Sequence, residues 1–172
     1  MSAAPTGSAG ATVRAARTQD VNLLLGLMHE LAEYERLAHE MRATAQLLQE
    51  ALFGERPAAE ALIAELDGEP AGYALFFPTF STFLATQGVW LEDLYVRPAF
   101  RRNGIGKALL AAVAARAQER GGRLEWAALN WNELALDFYS SLGASRMEEW
   151  ITHRLVGAEL NALAAQSPLL RG

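Results

Sequence analysis

The chain has no cysteine among its 172 residues. That absence excludes disulfides, a thiol nucleophile and every cysteine-based zinc site. Histidine is scarce as well: His29, His39 and His153 do not fall at metal-ligand spacing, so no metal is expected. Positive charge is in deficit, with 15 Lys and Arg against 20 Asp and Glu and a formal net charge of −5. An acidic surface opposes general binding to nucleic-acid phosphates, so any anion has to be held locally. No run approaches the roughly 20 apolar residues that a bilayer span needs. The opening "MSAAPTGSAGAT" has neither the basic start nor the apolar centre of a secretory signal. A cytosolic protein with no membrane or nucleic-acid partner is expected.

Hydrophobic residues make up 51% of the chain, enough for one substantial core. The length suits one domain of roughly 100–200 residues. Residues 1–11 are small, polar and Pro/Gly-bearing, which predicts a disordered leader before a single domain at 12–172. Residues 12–16 suit a short strand; Thr18 then suits a helix N-cap and Asp20 its first turn. Val21, Leu24, Leu25, Met28, Leu31 and Ala32 repeat at helical spacing, predicting a helix that runs to about 34–36. A second helix follows Thr44 and ends at Gly54 and Pro57. The period then changes to two, predicting strands over 60–66, 71–80 and 88–96, with Asp67-Gly68 marking a hairpin. A helix over 104–120, a strand over 123–129, a helix over 131–142 and a last strand over 144–155 complete the order. Short turns imply antiparallel pairing, whereas the helical crossover from 88–96 to 123–129 implies a parallel pair. The fold class is therefore α/β of the mixed α+β kind: a mixed, mostly antiparallel central sheet flanked by helices.

The stretch "RRNGIGKAL" at 101–109 joins a strand to a helix. Backbone N–H groups at a helix start lack partners, and glycines at 104 and 106 leave room for an oxygen-rich anion to reach them. Arg101, Arg102 and Lys107 place positive charge beside those donors, the physics of a pyrophosphate cradle. A Walker A loop fails here, since Arg101 stands at its first glycine and Ala108 follows Lys107 where a magnesium-binding hydroxyl belongs. A dinucleotide fingerprint fits poorly, with Leu109 at the third small position. A plain glycine-rich turn with solvated arginines is the remaining alternative.

Read as Arg-x-x-Gly-x-Gly after "LEDLYV", the turn resembles the acetyl-CoA pyrophosphate loop of the GCN5-related N-acetyltransferase (GNAT) family. The order of elements from about Thr12 to Leu155 is similar to that family's. "ELAEYE" (30–35), "LEDLYV" (91–96), "RRNGIGKALL" (101–110) and "WNELALDFYSSLGA" (131–144) together resemble the diamine, or spermidine/spermine, acetyltransferase branch. The resemblance implies acetyl-CoA as acyl-donor co-substrate, held between splayed parallel strands 4 and 5, here 88–96 and 123–129. It places the pyrophosphate on the amides of Arg102, Asn103, Gly104, Ile105, Gly106 and Lys107, beside Arg101. The pantetheine arm would pair with backbone at Leu94, Tyr95 and Val96, with Asn132 as a further partner. An amide near Leu94 would polarise the thioester carbonyl, a donor typically worth roughly 3–4 kcal/mol in the transition state. A homodimer is implied too.

The acceptor amine is cationic at neutral pH and has to lose a proton before it attacks. Glu92 is the best base, acting in the resembled family through a bound water. Period-two reading puts Glu92 on one face with Trp90, Leu94 and Val96, and Asp93 on the other with Leu91 and Tyr95. A carboxylate between apolar neighbours is costly to desolvate unless it has a partner. An acidic pair that meets only backbone or solvent is the alternative. The departing thiolate needs a proton, and the resemblance makes Tyr139 the acid. Asn132 and Tyr139, seven residues apart, share one helix face. Asn130 with Glu133 suits a local capping box, so the cap is assigned to Asn130.

Acidic and aromatic residues fall in the segments expected around the acceptor: Tyr34, Glu35, Glu92, Asp93, Glu125, Trp126, Glu148 and Glu149. Opposed carboxylates and aromatic faces suit a ligand with a second ammonium group. A small di- or polyamine is expected, by direct attack in a ternary complex. Thialysine- or lysine-like amino acids, a protein or peptide amine, and a non-catalytic acyl-CoA module remain as alternatives. Ordinary surface charge and packing also account for these residues singly.

Overall fold

The structure, a computed structural model, describes residues 10–167. Of the expected leader, residues 1–9 lie outside these. The chain divides into two compact units, Met1–Ala127 and Ala128–Gly172.

In the first unit, strands β1 (Ala11–Ala15), β2 (Glu60–Leu66), β3 (Glu69–Ser81), β4 (Thr86–Val96) and β5 (Leu124–Trp126) form one sheet in sequence order. All neighbours are antiparallel except β4 and β5, which are parallel. Alternation builds it. Ile63 pairs with Tyr73 on one face and Leu62 with Ala74 on the other, and all four are buried, so the central strands read as apolar runs. The hairpin at Asp67 and Gly68 has φ of 52° and 83°, the left-handed pair that matches strand twist.

Helices α1 (Val21–Tyr34) and α2 (Ala45–Phe53) cover the Ile63 face; Val21, Leu24, Leu27, Leu48 and Leu52 cluster with Ala61, Ile63, Tyr73 and Tyr95. Helix α3 (Ile105–Arg120) packs on β3 and β4 through Ile105, Leu109, Leu110, Val113 and Ala117. Thr44 caps α2, accepting from the Leu47 amide at 3.2 Å. Thr18 does not cap α1. It begins a 3-10 turn, and Asp20 takes the N-cap position. The Asp20 carboxylate accepts from the Arg17 amide at 2.8 Å and pairs with Arg14 at 2.7 Å, so the acid found two partners where threonine would have had one.

One irregularity decides the geometry of β4. Phe76 pairs with Leu91 and Leu75 with Asp93, leaving Glu92 as an extra residue in a β-bulge. Phe76 and Leu75 are neighbours on opposite faces, so Leu91 and Asp93 are on opposite faces as well. This corrects the period-two grouping: Asp93 shares a face with Tyr95 but not with Leu91. The last β4–β5 pair, Leu91 with Trp126, comes just before the bulge. Strand β5 is accordingly shorter than the expected 123–129, and the parallel strands part there.

In the second unit, α4 (Glu133–Ser141) is capped by Asn132, whose Oδ1 accepts from the Ala135 amide at 3.3 Å. The cap expected at Asn130 is corrected to Asn132. The strand expected over 144–155 does not form. Its apolar residues Met147, Trp150, Ile151 and Leu155 do not alternate; the Ala144 N–H turns back to the Tyr139 carbonyl and the Trp150 N–H to that of Met147. Helix α5 (Gly157–Ala164) follows, in a stretch for which no helix was expected. Among the described residues no helix is long and apolar enough to cross a membrane.

Candidate active site

The helix start after β4 has the form of the expected cradle. Gly104 sits at the N-cap of α3 with φ 74°, and no side chain caps the helix. A Cβ built at Gly104 would meet nothing within 4 Å, so the space beside the helix start is open. Arg102 also has a positive φ, 65°; turns of this kind are used to aim successive amides at one anion. Arg102, Asn103, Gly104 and Lys107 are exposed, while Ile105 is buried and anchors the turn to the core. The Asn103 amide donates to the Phe100 and Arg101 carbonyls, bracing the loop from within.

Arg101 serves the protein itself. Its Nε donates to the Val96 carbonyl at 3.0 Å and its guanidinium lies 4.9 Å from the centre of the Tyr34 ring. It ties the end of α1 to the end of β4, and it occupies one of the backbone acceptors expected to pair with the pantetheine arm. The Leu94, Tyr95 and Val96 backbone lies beyond the last β4–β5 pair, so β5 does not cover it. Next to this, Arg97 forks onto Glu30 at 2.7 Å and donates to the Pro70 carbonyl, and the Arg97 hydrogen bond draws the Glu30 carboxyl below the usual range.

The bulge divides the two adjacent acids. Glu92 is exposed, and its Oε2 accepts from the Trp90 indole at 2.8 Å. Asp93 is turned inward: its Oδ2 accepts from the buried Tyr73 hydroxyl at 2.8 Å. Burial pushes the Asp93 carboxyl above the usual range, opposed by the Tyr73 hydrogen bond and reinforced by the charge of Glu92. Glu35, just after α1, is raised by burial and then by the charge of Asp93. The structure thus brings Glu35 and Asp93 within electrostatic reach, with Tyr73 in reach of both. Tyr73 was missed in the sequence because a tyrosine inside "AGYALFF" reads as core.

Glu125 and Trp126 are not brought together. Glu125 pairs in register with Trp90 and forms an ion pair with Arg123 at 2.9 Å; Trp126 pairs with Leu91 on the opposite face. In the second unit Tyr139 is half-buried on α4, its ring 5.4 Å from that of Phe138, and Glu148 and Glu149 are exposed. Among the described residues no group of three His, Asp or Glu could hold a metal ion.

The model of the Acetyltransferase (GNAT) family matches residues 24–144. The chain belongs to that family. This GNAT acetyltransferase is 36% identical to the thialysine N-epsilon-acetyltransferase of Bos taurus over 90% of its own length and 97% of the relative's. It is 33% identical to the L-ornithine N5-acetyltransferase of Arabidopsis thaliana, over 88% of this chain and 86% of that one. Among solved structures, an integron cassette protein of V. cholerae superposes with a TM-score of 0.76 at 28% identity, covering 92% of this chain and 99% of that protein. The glycine at the start of α3 and the end of β4 lie within the matched region, as do Glu92, Asp93 and Tyr139.

Proposed function

We propose that residues 12–172 act as one domain that transfers an acetyl group from acetyl-CoA to the primary amine of a small dicationic acceptor. A single strand carries this reading: β4 ends in the anion cradle, and its bulge sets an exposed carboxylate beside an inward one. The cradle fits a diphosphate, because Gly104 leaves the space beside the helix start open and Arg102 and Lys107 flank it. The backbone around Leu94, beyond the last β4–β5 pair, suits the arm and the thioester carbonyl. An electrophilic amide there would stabilise the oxyanion as it forms.

Glu92 takes the proton from the acceptor ammonium, directly or through water. The free amine attacks the thioester carbon, the C–S bond breaks, the thiolate receives a proton from the acid, assigned to Tyr139, and the proton that the acetylated nitrogen gives up to solvent is matched by the one that restores the phenol. Asn132 is the further partner for the arm. Glu35 and Asp93 hold the acceptor's second cationic group, with Tyr34 as an aromatic wall and Glu125 as an outer contact. With no cysteine present, direct attack in a ternary complex needs no covalent intermediate on a thiol. The thialysine and ornithine named in the two relatives both carry a side-chain amine beside an α-amino group, which favours a diamino acid over a polyamine. The apolar side chains exposed in the second unit, among them Trp150, Ile151 and Leu155, support a homodimer. The cytosol is the proposed compartment.

Thiol release from acetyl-CoA tests the reading with ornithine, thialysine, lysine, putrescine, spermidine and a short peptide in parallel. Turnover is expected on the diamino acids, and Tyr139→Phe should lower kcat by about 100-fold, the scale of a lost general acid. Saturable acetyl-CoA binding without thiol release from any acceptor would instead make the chain an acyl-CoA-binding module.

A further inference from the structure

A tyrosine whose whole side chain is buried does the packing work of a phenylalanine and adds a hydroxyl that has to be satisfied. Tyr73 is 0% exposed. It packs in the α1/α2 cluster, and its ring is 6.5 Å from that of Tyr95. Its hydroxyl donates to Asp93 Oδ2. No described residue donates to the other oxygen, Oδ1. If the register of the Leu91–Phe76 pair ran on without a bulge, Asp93 would stand opposite Ala74 on the α3 face; the bulge at Glu92 sets it opposite Leu75, on the face that Tyr73 shares.

We infer that Tyr73 is a positioning residue: its hydroxyl pins one oxygen of Asp93 and leaves the other, with Glu35, to hold the acceptor's second cationic group. The inference rests on the proposed function for the role of Asp93. Among the described residues of the first unit, the groups that act on Asp93 are Glu35 from the end of α1, Tyr73 from β3, and its neighbour Glu92, with Tyr95 on the same face of its own strand. None of these is a cation, so the neutral phenol is the donor that steadies the carboxylate before the acceptor arrives. The hydrogen bond favours the ionised form of Asp93, in opposition to burial. Removing it moves the titration of Asp93 upward. A purely structural tyrosine would lower stability and leave the acceptor KM in place.

The experiment compares wild type, Tyr73→Phe, Asp93→Asn and the double variant. In Tyr73→Phe the KM for the acceptor should rise about tenfold, as for loss of a bond to a charged group. The acid limb of kcat/KM should shift up by about one pH unit, with the KM for acetyl-CoA unchanged. Tyr73→Phe should add nothing in the Asp93→Asn background. Carboxyl-carbon NMR of Asp93 reads the same shift without turnover, and 3-fluorotyrosine at position 73, which keeps the packing and strengthens the donor, should move it down. An unchanged Asp93 titration and acceptor KM in Tyr73→Phe, while Asp93→Asn raises KM, overturns the inference and spares the proposed function. An unchanged acceptor KM in Asp93→Asn overturns the acceptor reading itself, and the inference with it.

Discussion

Asp20 and Asp93 are both carboxylates held in the fold, and their environments move them in opposite directions. Asp20 is 7% exposed, yet the Arg14 guanidinium draws its carboxyl below the usual range, with the Arg17 amide adding to the effect. Asp93 meets only a neutral phenol, and burial wins. The sign of each shift gives its consequence. An acid with a lowered folded pKa stabilises the fold above its unfolded value, near 4, and loses that contribution as pH falls through the folded value. Asp20→Asn should therefore cost about 2–3 kcal/mol at pH 7, and the gap to wild type should close on acidification below about pH 4. Urea unfolding at pH 7 and pH 3 measures it; a gap independent of pH would mean that the cap geometry, and not the charge, carries the stability.

At the level of elements, the β3–β4 ladder controls where Glu92 and Asp93 stand. The strands approach so closely at Gly72 that a Cβ there would lie 2.3 Å from the Tyr95 carbonyl oxygen. Gly72→Ala should force the strands apart beside Tyr73 and Tyr95 and cost about 2–3 kcal/mol, the scale of overpacking. Gly68, in the hairpin, has open space around its Cβ and a φ of 83°, so Gly68→Ala should cost only about 1 kcal/mol of backbone strain. Equal losses in urea unfolding would contradict this account. The bulge in the same ladder had no sequence signal, because register belongs to two strands jointly and period two in "WLEDLYV" is silent about an inserted residue. That is why Leu91 and Asp93 were grouped on one face. The caps at Thr18 and Asn130 missed for a related reason: several polar residues near each helix start were eligible, and the partners available in the fold chose Asp20 and Asn132.

For the whole molecule, the net charge of −5 sets the long-range field. A dicationic acceptor is drawn to an acidic protein, and the attraction is screened over about 10 Å at 0.1 M salt. Raising salt from about 0.05 to 0.5 M should lower kcat/KM for a diamino acid about threefold, mostly through KM. Steady-state kinetics along a salt series checks this, and a flat response would confine the electrostatics to direct contacts.

The sequence by itself determined the type and order of the helices and strands predicted between residues 12 and 142, the Asp67-Gly68 turn and the glycine at the start of α3, because each depends on neighbours only a few residues apart. It also showed the adjacency of Glu92 and Asp93 and the family likeness of the loop. Tertiary structure alone decided which acid faces outward and which is held by Tyr73, where β4 and β5 part, and that residues 144–155 form no strand. Those outcomes turn on hydrogen bonds between segments distant in the chain, and a backbone or phenol takes whichever partner the assembled sheet sets opposite it.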